Sequence, residues 1–323
     1  MTEIPATSPL GASGAPGVPA EHRLTVLSGH RPAHVLACWG LASLLPGATL
    51  RFEGDWAVPV LNWDGDAEAL AQVAAEALVA GTWDLESRMP QELQALKPKE
   101  YQTTTPSRTV ANALSRAAWE ACREPAVLAG SGIVQTYDLS ASSQSVKEAD
   151  IQVRSAALTL LSGTSYTAKS VQDTWFLLGA GTREAARDAA AVEIARLLDG
   201  RLAVAEAKPG LRFSASQPTP RLTSGSEKCD VHPLIDLLAF RGQLLLQPAQ
   251  RAMSGSRKVF TWVLNPVPLT VTTILDLHES PPDHLPWSRW SSAIQSTEGS
   301  AKITFLAPAK EEPATAARGG TRA

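Results

Sequence analysis

Two stretches of this chain have no polar face. From Val35 to Leu45, apolar or small residues fill almost every position, and a helix that is apolar all round belongs inside a protein. Pro32 suits its first turn and Pro46-Gly47 stops it. The run is short of the ~20 residues that cross a bilayer. A second stretch, 232–246, repeats the plan: Pro, an apolar run, Ala-x-x-Gly, then more Leu. Laying Ala37 on Ala239 puts Gly40 on Gly242 and Leu44 on Leu246, with the prolines one position out of step. Both copies lead into strand-like sequence, 48–62 and 257–264. Two accounts stay open, an internal duplication or a chance likeness between two Leu/Ala-rich helices.

Weaker patterns fill the rest. Residues 22–27 read as a strand, and 49–53 with 56–62 as a hairpin around Gly54-Asp55. Pro59 argues for an edge or a bulge in the second strand. Asp66 N-caps a helix over 67–80 that Gly81 can close. Shorter helical patterns cover 90–97 and 108–123. Residues 133–138 read as a strand, while 151–161 fits strand or helix equally well. Helices follow over 166–178 and over 183–199, the latter capped by Thr182 and stopped at Gly200. Two short strands are expected within 202–222, and one over 258–264 after the Gly/Ser loop 254–256. The fold class is therefore α+β: two buried apolar helices packed on small mixed sheets.

Composition narrows this further. The chain has 323 residues, 44% of them hydrophobic, which is enough for a real core. Net charge is −3, so no global positive field draws in nucleic acid, and any such contact has to be local. Cys38, Cys122 and Cys229 are scattered and odd in number, which fits a reducing cytoplasm rather than a disulfide framework. Residues 1–20 lack the basic and apolar regions of a secretory signal and read as a disordered leader. An N-terminal α+β part is assigned to 21–125, a C-terminal α+β part to 126–306, and a disordered tail to 307–323.

Candidate chemistry is sparse. The run from Trp175 into Gly179-x-Gly181 and a helix resembles a dinucleotide fingerprint, but Glu184 stands where the third glycine belongs. A carboxylate there repels phosphate and suits a plain capped helix. A nucleotide- or small-molecule-binding enzyme using the Gly179–Glu184 turn is the alternative reading. His30 and His34 flank Pro32 with no third ligand, and His278 and His284 lie in a Pro-rich loop, so no metal and no cofactor is expected. No spacing marks a catalytic constellation. Arg241, Arg251, Arg257 and Lys258 cluster around a Gly/Ser loop, where such side chains can neutralise phosphates. Trp56, Trp287 and Trp290 lie near loops and offer stacking surface.

The stretch Pro32-x-His34-Val-Leu-Ala-Cys-Trp-Gly-Leu41, followed by Val58-Pro-Val-Leu61, is similar to the opening of large-subunit-like CRISPR-associated proteins. Three later pieces resemble the type I-G (formerly I-U) effector families, including the Csb-three-type protein and the Cas-three-linked extension. They are Leu161-Ser-Gly163, Asp236-Leu-Leu-Ala-Phe-Arg-Gly-Gln243 with Gln247-Pro248, and Phe260-Thr-Trp262 before Asn265-Pro-Val-Pro268. After Leu211-Arg-Phe213 this chain has Ser214-Ala-Ser216 where the families' pattern has Asp-Pro. The resemblance implies a non-catalytic cytoplasmic protein of an antiviral interference complex. Its partners would be other effector subunits and guide RNA or target DNA, with no membrane role.

Overall fold

The apolar stretch at the front of the chain is a helix, α1 (Pro32–Ser43), with Pro32 in its first turn and every residue from 33 to 42 buried. The computed structural model describes residues 19–88, 133–137, 151–155, 167–208, 210–214, 228–246, 252–254, 257–279, 286–296 and 304–312. Around α1 lie strands β1 (Ala20–Arg23), β2 (Thr49–Glu53) and β3 (Val58–Trp63), an antiparallel sheet in the order β1-β3-β2. The Asp66 carboxylate accepts from the Ala69 amide at 2.8 Å and starts helix α2 (Ala67–Thr82). Strands β4 (Ile133–Tyr137) and β5 (Ile151–Ser155) form a hairpin, so the ambiguous run at 151 begins as a strand.

Helices α3 (Thr167–Leu177) and α4 (Arg183–Leu198) come next, then β6 (Ala205–Ala207) paired with β7 (Cys229–Val231). The second apolar stretch is helix α5 (Pro233–Gln243), buried along almost its whole length. After it come β8 (Ala252–Ser254), β9 (Arg257–Val263), helix α6 (Val271–Glu279), β10 (Arg289–Ser296), β11 (Thr304–Leu306) and β12 (Lys310–Glu312). β11 and β12 line one side of β10 and β9 lines the other, with β8 beyond it. The fold is α+β, and the described sheets are antiparallel throughout rather than mixed.

Helices α1 and α5 cross each other at their glycines. A methyl group built on Gly40 would overlap the carbonyl oxygen of Leu238, and one built on Gly242 would overlap that of Leu36. Gly40 and Gly242 stand 202 positions apart, as do Leu36 and Leu238, so the contact is reciprocal. The same shift lays β2 over β8, β3 over β9 and α2 over α6 to within a few residues. Both stretches thus run β, α, β, β, α in the same order, the last four elements in one register.

A single buried cluster takes residues from both sequence halves and crosses the 125/126 boundary. On its inner side, Trp39 of α1 meets Phe260 of β9 edge to face, 5.9 Å between centroids. α2 packs against α4, where Trp83 meets Trp175 of α3. The open edge of β2 is closed from the other half. The Leu50 and Phe52 amides donate at 2.8 Å to the carbonyls of Leu269 and Asn265.

Three expectations need correction. Pro59 lies in the central strand of its sheet, not at an edge. It is tolerated because β1 ends there. Leu24 donates to the Pro59 carbonyl, and the Leu24 carbonyl, which Pro59 cannot serve, accepts from Leu27 instead. The first strand is Ala20–Arg23, so it starts within the span assigned to the leader and stops before 27. Strand β12 lies within the assigned 307–323 tail, held by β10. Residues 1–18 and the helical patterns at 90–97 and 108–123 lie outside the described residues.

Candidate functional site

Two polar features sit at the ends of the crossed helices. At the start of α1, the loop 28–31 is fixed from several sides. The Ser28 amide donates to His34 Nδ1 at 3.1 Å, and the Ser28 hydroxyl donates to the Trp56 carbonyl at 2.8 Å. The Gly29 amide donates to the Ala57 carbonyl, and Trp262 Nε1 donates to the Gly29 carbonyl, both at 2.8 Å. A side chain on Gly29 would meet the side chains of Leu264, Phe52 and Ala57, so it would have to displace them. Burial pushes His34 down to about 3, helped by Arg31 and His232, so its ring is neutral and its Nδ1 is the acceptor for the Ser28 amide.

Next to this loop, His30 stacks on Trp290 at 4.2 Å. The His30 amide and the Trp56 carbonyl share the Ser28 hydroxyl. Trp56, at the tip of the β2–β3 hairpin, is 75% exposed. The hairpin turns through Gly54 and Ala57, both with positive φ, and for Ala57 this is a strained conformation. Of the three loop tryptophans, the structure brings Trp56 and Trp290 to the same loop through Ser28 and His30.

At the start of α5, the Asp236 carboxylate is buried and accepts from the Ser214 amide at 2.7 Å. Burial raises it to about 6, against the backbone donors of Ser214 and Phe213. The Ser214 hydroxyl accepts from the His232 amide at 2.9 Å, and His232 Nδ1 lies 3.0 Å from the Ala203 carbonyl. Two residues before Ser214, Arg212 is buried with φ +69, and burial lowers its guanidinium. Asp236 stands 202 positions after His34, so the two helices carry their buried ionisable groups at matching places. The carboxylate organises a loop backbone, which is a structural use.

Of the four basic candidates, Arg241 is half-buried, with its guanidinium against Gly81 at the end of α2. Arg257 and Lys258 open β9, paired with Ser254 and Met253 of β8, and Arg251 lies outside the described residues. Arg241 is therefore placed beside the end of α2, while residues 255–256 of the Gly/Ser loop lie outside the described residues.

The Gly179–Glu184 turn is a helix end followed by a helix start. The Ala180 amide reaches back to Trp175 and the Gly179 amide to Phe176, with Gly179 at φ +77. That is the Schellman ending of α3. The Thr182 hydroxyl accepts from the Ala185 amide at 3.2 Å to start α4. The dinucleotide fingerprint requires a strand before the glycines, and here a helix precedes them. Among the described residues no group of three or more His, Cys, Asp or Glu is placed to hold a metal. His278 falls at the end of α6, and His284 lies outside the described residues.

Among the described residues no helix is long and apolar enough to cross a membrane. No family model, curated protein or solved structure matches the chain.

Proposed function

We propose that the chain is a non-catalytic subunit or accessory of a type I-G CRISPR effector. In the cytoplasm it would contribute protein–protein contacts and contacts to the backbone of guide RNA or target DNA. One observation supports this reading: of the segments on which the resemblance rests, those at 32–41, 58–61, 236–243, 260–262 and 265–268 belong to one contact network, while 161–163 and 247–248 lie outside the described residues. Gly40 of the first segment meets Leu238 of the second across the helix crossing. Trp39 meets Phe260. The Asn265 amide group donates at 2.6 Å to the Leu50 carbonyl, close beside the 58–61 segment's strand. Segments that share one interior are constrained together, which supports treating their joint presence as a family pattern rather than as separate Leu/Ala-rich coincidences.

Arg241, Arg251, Arg257 and Lys258 are the proposed phosphate contacts. Coexpression with the subunits and CRISPR RNA of a type I-G system tests the assignment. The chain should copurify with the assembled effector, and replacing all four residues with Ala should weaken nucleic-acid binding and flatten its salt dependence. A chain that copurifies with neither subunit nor RNA overturns the reading. An unchanged salt slope removes the four residues from it.

A further inference from the structure

We infer that the motif Asn265-Pro-Val-Pro268 is an edge guard: it covers the open side of β2 and leaves an outer margin that a strand from a second copy of this chain cannot pair with. The inference stands apart from the proposed function. Its basis is the direction in which successive main-chain groups face. The Leu264 amide donates at 3.0 Å to the Ser288 carbonyl, just before β10, and the next residue turns the other way, its carbonyl accepting from the Phe52 amide. Leu269 gives β2 both of its groups, accepting from the Leu50 amide at 2.8 Å and donating to the Leu50 carbonyl at 3.1 Å. Between these two points Asn265 Nδ2 bridges the Leu50 and Val267 carbonyls, at 2.6 and 2.9 Å. Residues 265, 267 and 269 therefore turn main-chain groups toward β2.

The alternate positions, 266 and 268, face away from β2, and both are proline. Pro266, Val267 and Pro268 are exposed, whereas Asn265 is buried. A sheet edge recruits another chain through its outward amides and carbonyls. Proline at an outward position has no amide to give, so half of any new ladder is missing. The motif thus divides its work: Asn265 fixes the inner side, and the prolines withhold donors from the outer side. The far end of the same sheet is blunted by other means. β1 is only four residues long and carries Glu21 and Arg23, a short charged edge. Strand pairing is main-chain chemistry that every identical copy can supply, so the association being opposed is that of the chain with itself.

Replacing Pro266→Thr together with Pro268→Thr in the full chain restores both amides with strand-forming side chains. Size-exclusion chromatography with light scattering, over a range of protein concentration, reads the result. The double variant should reach about twice the wild-type mass or more as concentration rises, while its urea midpoint stays close to wild type. Hydrogen exchange at 265–269 should slow in step with the mass. Adding Val267→Lys to the double variant should return the mass to wild type, because a lysine on an edge opposes pairing. A folded double variant that keeps the wild-type mass overturns the inference. A mass increase that Val267→Lys leaves in place also overturns it, since the association then runs through another surface. Loss of the fold in the double variant, with or without association, assigns the prolines to stiffening the segment and overturns the guard as well.

Discussion

Gly40 lies against the carbonyl of Leu238, and Gly242, its counterpart, lies against the carbonyl of Leu36. Each helix supplies the missing side chain that lets the other's backbone approach. Because the obstruction in both cases is main chain, a side chain there cannot be accommodated by a rotamer change. Gly40→Ala or Gly242→Ala should each destabilise by about 3 kcal/mol or more, read from urea unfolding. Gly181 has open space around it and no positive φ, so Gly181→Ala should change stability by less than about 1 kcal/mol. Equal effects at the three glycines would contradict the crossing.

The halves are also tied by single hydrogen bonds from buried polar side chains. Trp262 Nε1 donates to the Gly29 carbonyl, and Trp262→Phe removes the donor while keeping most of the ring. The loss should be about 1–2 kcal/mol. Asn265 donates to both the Leu50 and the Val267 carbonyls, so Asn265→Leu should cost more than Trp262→Phe. Chemical unfolding of the two variants side by side checks the order.

His34 and Asp236 predict an unusual pH profile. The folded chain holds the Asp236 proton up to about 6, above its ordinary 3.8. Its contribution to stability therefore falls as pH rises from about 4 to 6. The folded chain keeps His34 neutral down to about 3, below its ordinary 6.5. That contribution is full above 6.5 and is lost as pH falls. Between about pH 4 and 6 the two slopes oppose each other. Asp236→Asn should expose the His34 slope, so that stability climbs with pH by about 1.4 kcal/mol per unit over that window. His34→Asn should expose the opposite slope. Urea midpoints across the pH range decide it, and an Asp236→Asn profile parallel to wild type would refute the pairing.

What the chain's pattern reveals follows from where each constraint acts. The two apolar helices were legible because burial on every side leaves no polar face, and Asp66 and Thr182 cap the helices they were expected to cap. The alignment of Gly40 with Gly242 was visible too, but its reason, carbonyls of a partner helix, is a contact between residues far apart in sequence. Pro59 misled because a proline's cost depends on whether a donor is needed, and here the neighbouring strand has already ended. Arg241 was grouped with its sequence neighbours, and a contact with Gly81 cannot be read from local charge. The sequence places Trp56 near a loop with stacking surface, but does not say how far it stands out from the protein. Its exposure comes from a turn braced by Ser28 and Gly29, which sit in a different element.

The strip at 265–269 that accepts from Leu50 and Phe52 is made late in the chain. A growing or clipped polypeptide that lacks it leaves the outermost strand of the front half with bare amides and carbonyls, ready to zip onto another molecule. Fragments ending near residue 88 should therefore be adhesive and drift into multimers. The full-length chain hides that seam inside itself.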